Sequence, residues 1–225
     1  TTEIYTLSLH DALPICRAIT REHVLQAIEG ARADFSEGAV GAGRGMSCHG
    51  LKGGIDSASR AIPLSSGEYM LGVLALTNHG RLSDLMIGRE MIGREIQTQA
   101  DAEAPDRGSC IVIVATDLPV TDRQLGRVIR RASVGLARLG SYIGHGSGEV
   151  MIGFSTANRY SNDDGEDVIS LSAIREDRID WAFRAVAEAT EEAVLNSLAA
   201  AEEVIGYQGH VRRPLKYYFQ DHRPG

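Results

Sequence analysis

An α/β fold, with helices laid over sheets, is what this 225-residue sequence predicts, and three observations carry the prediction. Two apolar runs of strand length, residues 69–77 (YMLGVLALT) and Ser109–Thr116 (SCIVIVAT), are rich in aliphatic and β-branched residues and read as buried strands. Residues 121–139 and about 177–205 carry apolar side chains at helical spacing. The chain also holds 25 glycines, which suits a fold with many tight turns and close backbone approaches.

Residues 1–15 (TTEIYTLSLHDALPI) resemble the translated sequencing-adapter read-through found at the ends of metagenomic gene calls, and are set aside as a non-native segment. Residues 16–225 then read as a single domain, incomplete at its N-terminus. A short amphipathic helix spans residues 20–31, with Thr20 as N-cap and Val24, Leu25 and Ile28 on one face. The Gly-rich run 37–60 predicts short strands joined by tight turns. Residues 69–77 predict a strand covered on both faces, and 78–81 (NHGR) a turn. IGRE occurs twice, at 87–90 and 92–95, a repeat too short for a solenoid.

Residues 97–108 (QTQADAEAPDRG) are polar, contain Pro105 and show no periodicity, which reads as a flexible linker. After strand 109–116, Thr121 and Gln124 form a capping box that opens one helix through about Leu139. A Gly loop at 144–148, a strand at 149–157 and a polar loop at 158–167 follow. The last long helix stops before Gly206 and places Ile179, Trp181, Phe183, Val186, Val194 and Leu198 among its apolar residues. The tail from His210 has no reading from pattern alone.

Composition excludes several classes. Hydrophobic residues make up 43% and charged residues 24%, the balance of a globular protein with a sizeable core. A net charge of -7 without a Lys/Arg block argues against a nucleic-acid partner. The longest apolar stretches are far too short to span a bilayer as a helix, so no membrane partner is expected. Cys16, Cys48 and Cys110 form no CxxC pair, which argues against a disulfide framework and a zinc site. A reducing compartment is the plain reading. The cytoplasm is expected, with the periplasm open because the native N-terminus is not seen.

The Gly108-Ser109 junction is the most informative local feature. A polar linker ends in Gly, and Ser109 begins an apolar strand. A chain break there would put a hydroxyl on a rigid strand beside its own α-amine, a base with an ordinary pKa of about 7.7–8.0. Gly before the break tolerates unusual backbone angles. Taken alone, Gly-Ser before a strand is also an ordinary turn.

Four ordered blocks add a resemblance. Residues 108–141 (GSCIVIVATDLPVTDRQLGRVIRRASVGLARLGS) resemble the start of the β chain of DmpA-type aminopeptidases, the L-aminopeptidase/D-esterase group. Residues 145–159 (HGSGEVMIGFSTANR) resemble their GSG-acid…FSTANR block. Residues 40–60 (VGAGRGMSCHGLKGGIDSASR) resemble VGAGTGM…KGGIG-SR, with Arg44 where Thr is common. Residues 188–202 (EATEEAVLNSLAAAE) resemble the closing helix. The likeness runs from about 19 to 210.

This resemblance implies an αββα four-layer sandwich of N-terminal-nucleophile type. It implies self-cleavage into an α-chain part (16–108) and a β-chain part (109–225), and release of N-terminal residues from short peptides, amides or esters. Carried over by motif, Ser109 is the nucleophile, Ser147 and Glu149 orient it, and Asn78 donates to the oxyanion. No metal or organic cofactor is implied, and a homo-oligomer of αβ units is expected. Ser147 and Glu149 stand two residues apart at a predicted strand start, which puts them on one face.

Plainer readings stand beside these. Ser147 is also a turn residue, Glu149 a solvated strand-end charge and Asn78 a good turn former. Cys110 is a rival nucleophile that alternation points to the opposite face from Ser109. His145 borders the GSGE block as a possible general base. Cys48 and His49 are adjacent, which is not triad geometry, and they receive no role. The acidic cluster 163–167 lacks EF-hand spacing. Two other functions remain open: a self-processing acyltransferase like the ornithine acetyltransferases, and an uncleaved structural homologue.

Overall fold

The computed structural model describes residues 19–97, 108–161, 167–206 and 209–219. Helix α1 (Arg21–Glu29) follows Thr20, whose backbone N–H donates to His23 Nδ1 at 3.0 Å. Val24, Leu25 and Ile28 lie on this helix as expected, yet all three are exposed. A 3-10 turn at Gly41–Gly45 leads into the short antiparallel pair β1 (Ser47–Cys48) and β2 (Leu51–Lys52). Then come β3 (Ile55–Leu64) and β4 (Gly67–Asn78), a long hairpin. Helix α2 (Ile92–Gln97) closes the first part.

The second part opens on β5 (Ser109–Thr116). Helices α3 (Asp122–Ile129) and α4 (Ala132–Arg138) cross over to β6 (Val150–Ser155). The long helix α5 (Asp180–Ala199) and the pair β7 (Val204–Ile205) and β8 (Val211–Arg212) complete the described chain.

One four-stranded sheet, in the order β3-β4-β5-β6, organises these elements. β4 pairs antiparallel with both β3 and β5, and β5 pairs parallel with β6. The parallel step needs a crossover, which α3 and α4 supply. Helices α3, α4 and α5 cover one face. Leu71, Val73 and Ala75 of β4 and Val112 and Val114 of β5 meet Ala182, Val186, Ala189 and Val194 of α5 there. Each large side chain buried this way contributes on the order of 1.5–3 kcal/mol. A Cβ on Gly135 would lie 2.5 Å from the Ala187 carbonyl oxygen, so glycine there lets α4 touch α5.

The other face of the sheet is apolar and half-open. Val150, Ile152 and Phe154 of β6 and Met70 of β4 are exposed, and burial along β4 and β6 alternates residue by residue. The reading of β4 as covered on both faces is therefore corrected for the described residues: one face is packed and the other is not. These residues build one helix layer and one sheet of the expected four layers.

Several boundaries differ from expectation for identifiable reasons. The helix from Thr121 breaks at Arg130 and Arg131, where Arg131 N–H bonds back three residues to Val128. The Arg131 guanidinium stacks 3.4 Å over the Phe183 ring of α5. The last helix ends at Ala199, because Val204 and Ile205 pair with the tail instead. Trp181, expected among its apolar contacts, is half-exposed. The two IGRE copies diverge: the first is a tight bridge between Ile87 and Glu90, with Gly88 and Arg89 at positive φ, and the second opens α2. The linker falls largely at 98–107, and with residues 1–18 it lies outside the described residues. The tail finds a place: Arg213 carbonyl accepts Lys52 N–H at 2.8 Å, and Leu215–Tyr218 forms a 3-10 turn.

Two buried charges hold the Gly-rich part. Lys52 is buried, and its Nζ donates to the carbonyls of Gly43, Met46 and Gly53 at 2.8, 2.6 and 2.6 Å. Burial lowers its pKa to about 8, while the three acceptors favour the ammonium form. Asp56 is buried with Oδ1 accepting the Ser57 N–H at 2.7 Å. Burial, reinforced by Glu37, raises its pKa to about 6.

Replacing Lys52 by Met removes the ammonium donor from three carbonyls, of which Gly43 keeps the Met46 N–H, and the expected loss is about 3 kcal/mol of stability, measured as a lower denaturation midpoint. Asp56 gives a pH-dependent outcome. Its folded pKa lies above its unfolded value, so the stabilisation it contributes below about pH 4 is lost as pH rises through 6. Asp56→Asn is expected to melt a few degrees above wild type at pH 8 and level with it near pH 4.

Candidate active site

Antiparallel pairing of β4 with β5 sets Asn78 directly opposite Ser109. The approach is close: a Cβ on Gly108 would stand 1.7 Å from the Asn78 carbonyl oxygen. Gly108 is therefore fixed by contact with the neighbouring strand, a stronger requirement than backbone freedom alone. Ser109 is the first residue of β5 and is buried. Alternation along β5 sends Cys110, Val112 and Val114 toward the helices and Ser109 toward the half-open face with Ile111 and Ile113.

The partner loop comes from the N-terminal side of β6. Gly148 N–H donates to Ser109 Oγ at 3.2 Å, and Ser147 Oγ donates to Glu149 Oε1 at 2.6 Å. Glu149 Oε2 is buried without a hydrogen-bond partner among the described residues. Ser147 and Glu149 were expected at the start of a strand, on one face. The strand begins at Val150, and both residues stand in the loop before it. Their proximity comes from the direct hydrogen bond across Gly148, which itself faces Ser109.

Asn78 ends β4 with its side chain held. Ser47 N–H donates to Asn78 Oδ1 at 3.1 Å. A backbone N–H can only donate, so the oxygen of the amide must face Ser47, and Nδ2 is the donor side. The structure thus brings Asn78, Gly108 and Ser109 together by register, and Ser147 and Glu149 by the loop that Gly148 anchors.

The rival groups separate from this constellation. The Cys110 thiol is raised well above its ordinary value by burial, then by Cys48 and Glu149, so it stays protonated. His145 is exposed in a turn, and no hydrogen bond among the described residues joins it to Ser109. Of the acidic cluster, 163, 164 and 166 lie outside the described residues, and Asp167 is exposed.

Sequence reasoning missed two things here. Lys52 is a buried cation behind the β1–β2 turn. His79, next to Asn78, is buried beside Cys48 and His49. Only the apolar surroundings of a lone His in NHG hinted at its burial, while its neighbours are some thirty residues away in the chain, as the pairing of His49 N–H with the His79 carbonyl at 2.7 Å shows.

Comparison with known proteins places this geometry. The chain is 37% identical over 211 residues to the beta-peptidyl aminopeptidase BapA of Sphingosinicella microcystinivorans, covering 87% of this chain and 53% of that protein. The structure of the PH0078 protein from Pyrococcus horikoshii superposes with a TM-score of 0.81 at 47% identity, over 90% of this chain and 56% of that one. The L-aminopeptidase D-Ala-esterase/amidase of Ochrobactrum anthropi, described as a prototype of the serine aminopeptidases and a variant of the Ntn hydrolase fold, matches with a TM-score of 0.78 at 31% identity, over 88% of this chain and 55% of that one. The fold is thus of the Ntn hydrolase type. The chain spans about half the length of the curated relatives it matches. The sequence model of Peptidase family S58 matches residues 5–212, and the chain belongs to that family.

Proposed function

We propose that this chain is part of a serine aminopeptidase that cleaves itself between Gly108 and Ser109 and then uses Ser109 as the nucleophile. The observation that carries this reading is the placement of Ser109. It stands first on a buried strand, with its Oγ receiving the Gly148 N–H and with Asn78 opposite.

In the processing step Ser109 Oγ attacks the Gly108 carbonyl carbon. The C–N bond breaks as the C–O bond forms, and the hydroxyl proton passes to the departing nitrogen. Water then hydrolyses the ester, giving the Gly108 carboxylate and restoring the Ser109 hydroxyl. The new α-amine lies beside the hydroxyl and serves as its base. In turnover the same hydroxyl attacks the carbonyl carbon of a substrate's N-terminal residue, the bond from that carbon to the amine or alcohol breaks, and the hydroxyl proton leaves with the amine or alcohol; water then hydrolyses the acyl-enzyme, releasing the residue as its carboxylate and restoring the Ser109 hydroxyl. Asn78 Nδ2 donates to the oxyanion, an interaction typically worth about 3 kcal/mol. The Ser147–Glu149 pair orients the hydroxyl and amine protons without a histidine. Short peptides, amides or esters with a free amino end are the substrate class, in keeping with the activities named for the relatives.

The complete gene product, denatured and sequenced from each fragment, is expected to show a chain beginning Ser-Cys-Ile-Val. Ser109→Ala should give one uncleaved chain. Processing in Ser109→Ala equal to wild type would remove the assignment. Asn78→Ala is expected to lower kcat by about a hundredfold or more on an amino-acid amide with KM little changed.

A further inference from the structure

Behind the Asn78 turn lies a buried group of side chains that the proposed chemistry does not use. Cys48 at the end of β1, His49 in the following turn and His79 just after β4 each present a donor atom, and these atoms all lie within 4.8 Å of one another. Cys48 and His49 are fully buried and His79 is 2% exposed.

Three observations mark the group as more than a packed pair of rings. Both ring nitrogens of His79 are buried and lack a hydrogen-bond partner among the described residues. Buried imidazole nitrogens ordinarily find partners, and the edge-on packing against His49, ring centroids 5.5 Å apart, gives them none. His49 Nδ1 sits 3.0 Å from the Arg81 carbonyl oxygen and so carries the proton, which leaves Nε2 as the lone-pair nitrogen. A ligand histidine ordinarily has such an outer partner on its second nitrogen. The backbone also makes room for this arrangement. A Cβ on Gly80 would strike His49 Nδ1 at 2.5 Å, and one on Gly53 would strike Cys48 Cβ at 2.6 Å.

We propose that Cys48, His49 and His79 bind one zinc-class metal ion through a thiolate and two imidazoles. One thiolate and two neutral imidazoles form a donor set zinc accepts, with the fourth position left to a solvent oxygen. Binding expels the Cys48 thiol proton to solvent. The ion ties β1 to the end of β4. Those are the two segments that hold Asn78, since Ser47 precedes Cys48 and bonds Asn78 Oδ1, and His79 follows Asn78. The ion therefore clamps the two segments that hold Asn78, and its binding does not depend on Ser109 being the nucleophile.

The test uses the complete gene product, reduced, stripped with chelator and titrated with cobalt(II) and zinc(II). The expected result is uptake of about one ion per chain. Cobalt should give a thiolate charge-transfer band with the intense visible bands of four-coordinate cobalt. The charge-transfer band should vanish in Cys48→Ser, and uptake should fall at least tenfold in His79→Phe. Ser109→Ala should bind metal as wild type does, which separates this site from the nucleophile assignment. Zinc should raise the melting temperature of wild type and leave His79→Phe unmoved. Wild-type protein that takes up no cobalt or zinc overturns the proposal, as does uptake with an unchanged spectrum in both variants.

Discussion

The antiparallel ladder between β4 and β5 is the constraint on which the rest depends. Its register runs from Leu71 opposite Thr116 to Asn78 opposite Ser109. Because side chains alternate across a sheet, a slip of one residue would turn Val112 and Val114 out of the core and Ser109 into it. The hydrophobic core beneath α5 therefore fixes the position of a polar pair at the ladder's end. Packing and chemistry are set by one register, and the core's many apolar contacts far outweigh any preference of the two polar residues.

Close approaches of backbone then sharpen the site. Gly108 can carry no side chain because the Asn78 carbonyl occupies that space. Gly54 shows the same constraint, since a Cβ there would stand 1.8 Å from the Gly38 carbonyl oxygen. Glycine in this chain is thus largely a device for bringing strand ends and turns together. Lys52 completes it by gathering the carbonyls of Gly43, Met46 and Gly53, of which the Gly43 oxygen also accepts the Met46 N–H. A buried ammonium satisfied in this way stabilises a loop cluster too short to have a core of its own.

The sheet is asymmetric. One face is sealed by α3–α5, while the other presents Val150, Ile152 and Phe154 to solvent in the described residues. Ser109 belongs to this second face. The same asymmetry agrees with a sandwich fold in which that face packs on a second sheet.

The residue pattern by itself determined the strands β4, β5 and β6, the capping box at Thr121 and the junction at Gly108-Ser109, because each is a local matter of alternation, capping or breaker residues. The block resemblances pointed to Asn78, Ser147 and Glu149, and the family match agrees with those blocks. Pattern misjudged what neighbours impose. It read one helix where Arg131 stacking on Phe183 accompanies two, and a strand start where Ser147 and Glu149 form a loop. It also did not place His79 beside Cys48 and His49, because His79 reaches them only through the β1–β4 contact. Only the tertiary structure decided which distant side chains share a buried space. That is a property of register and packing between segments, and no spacing along the chain encodes it.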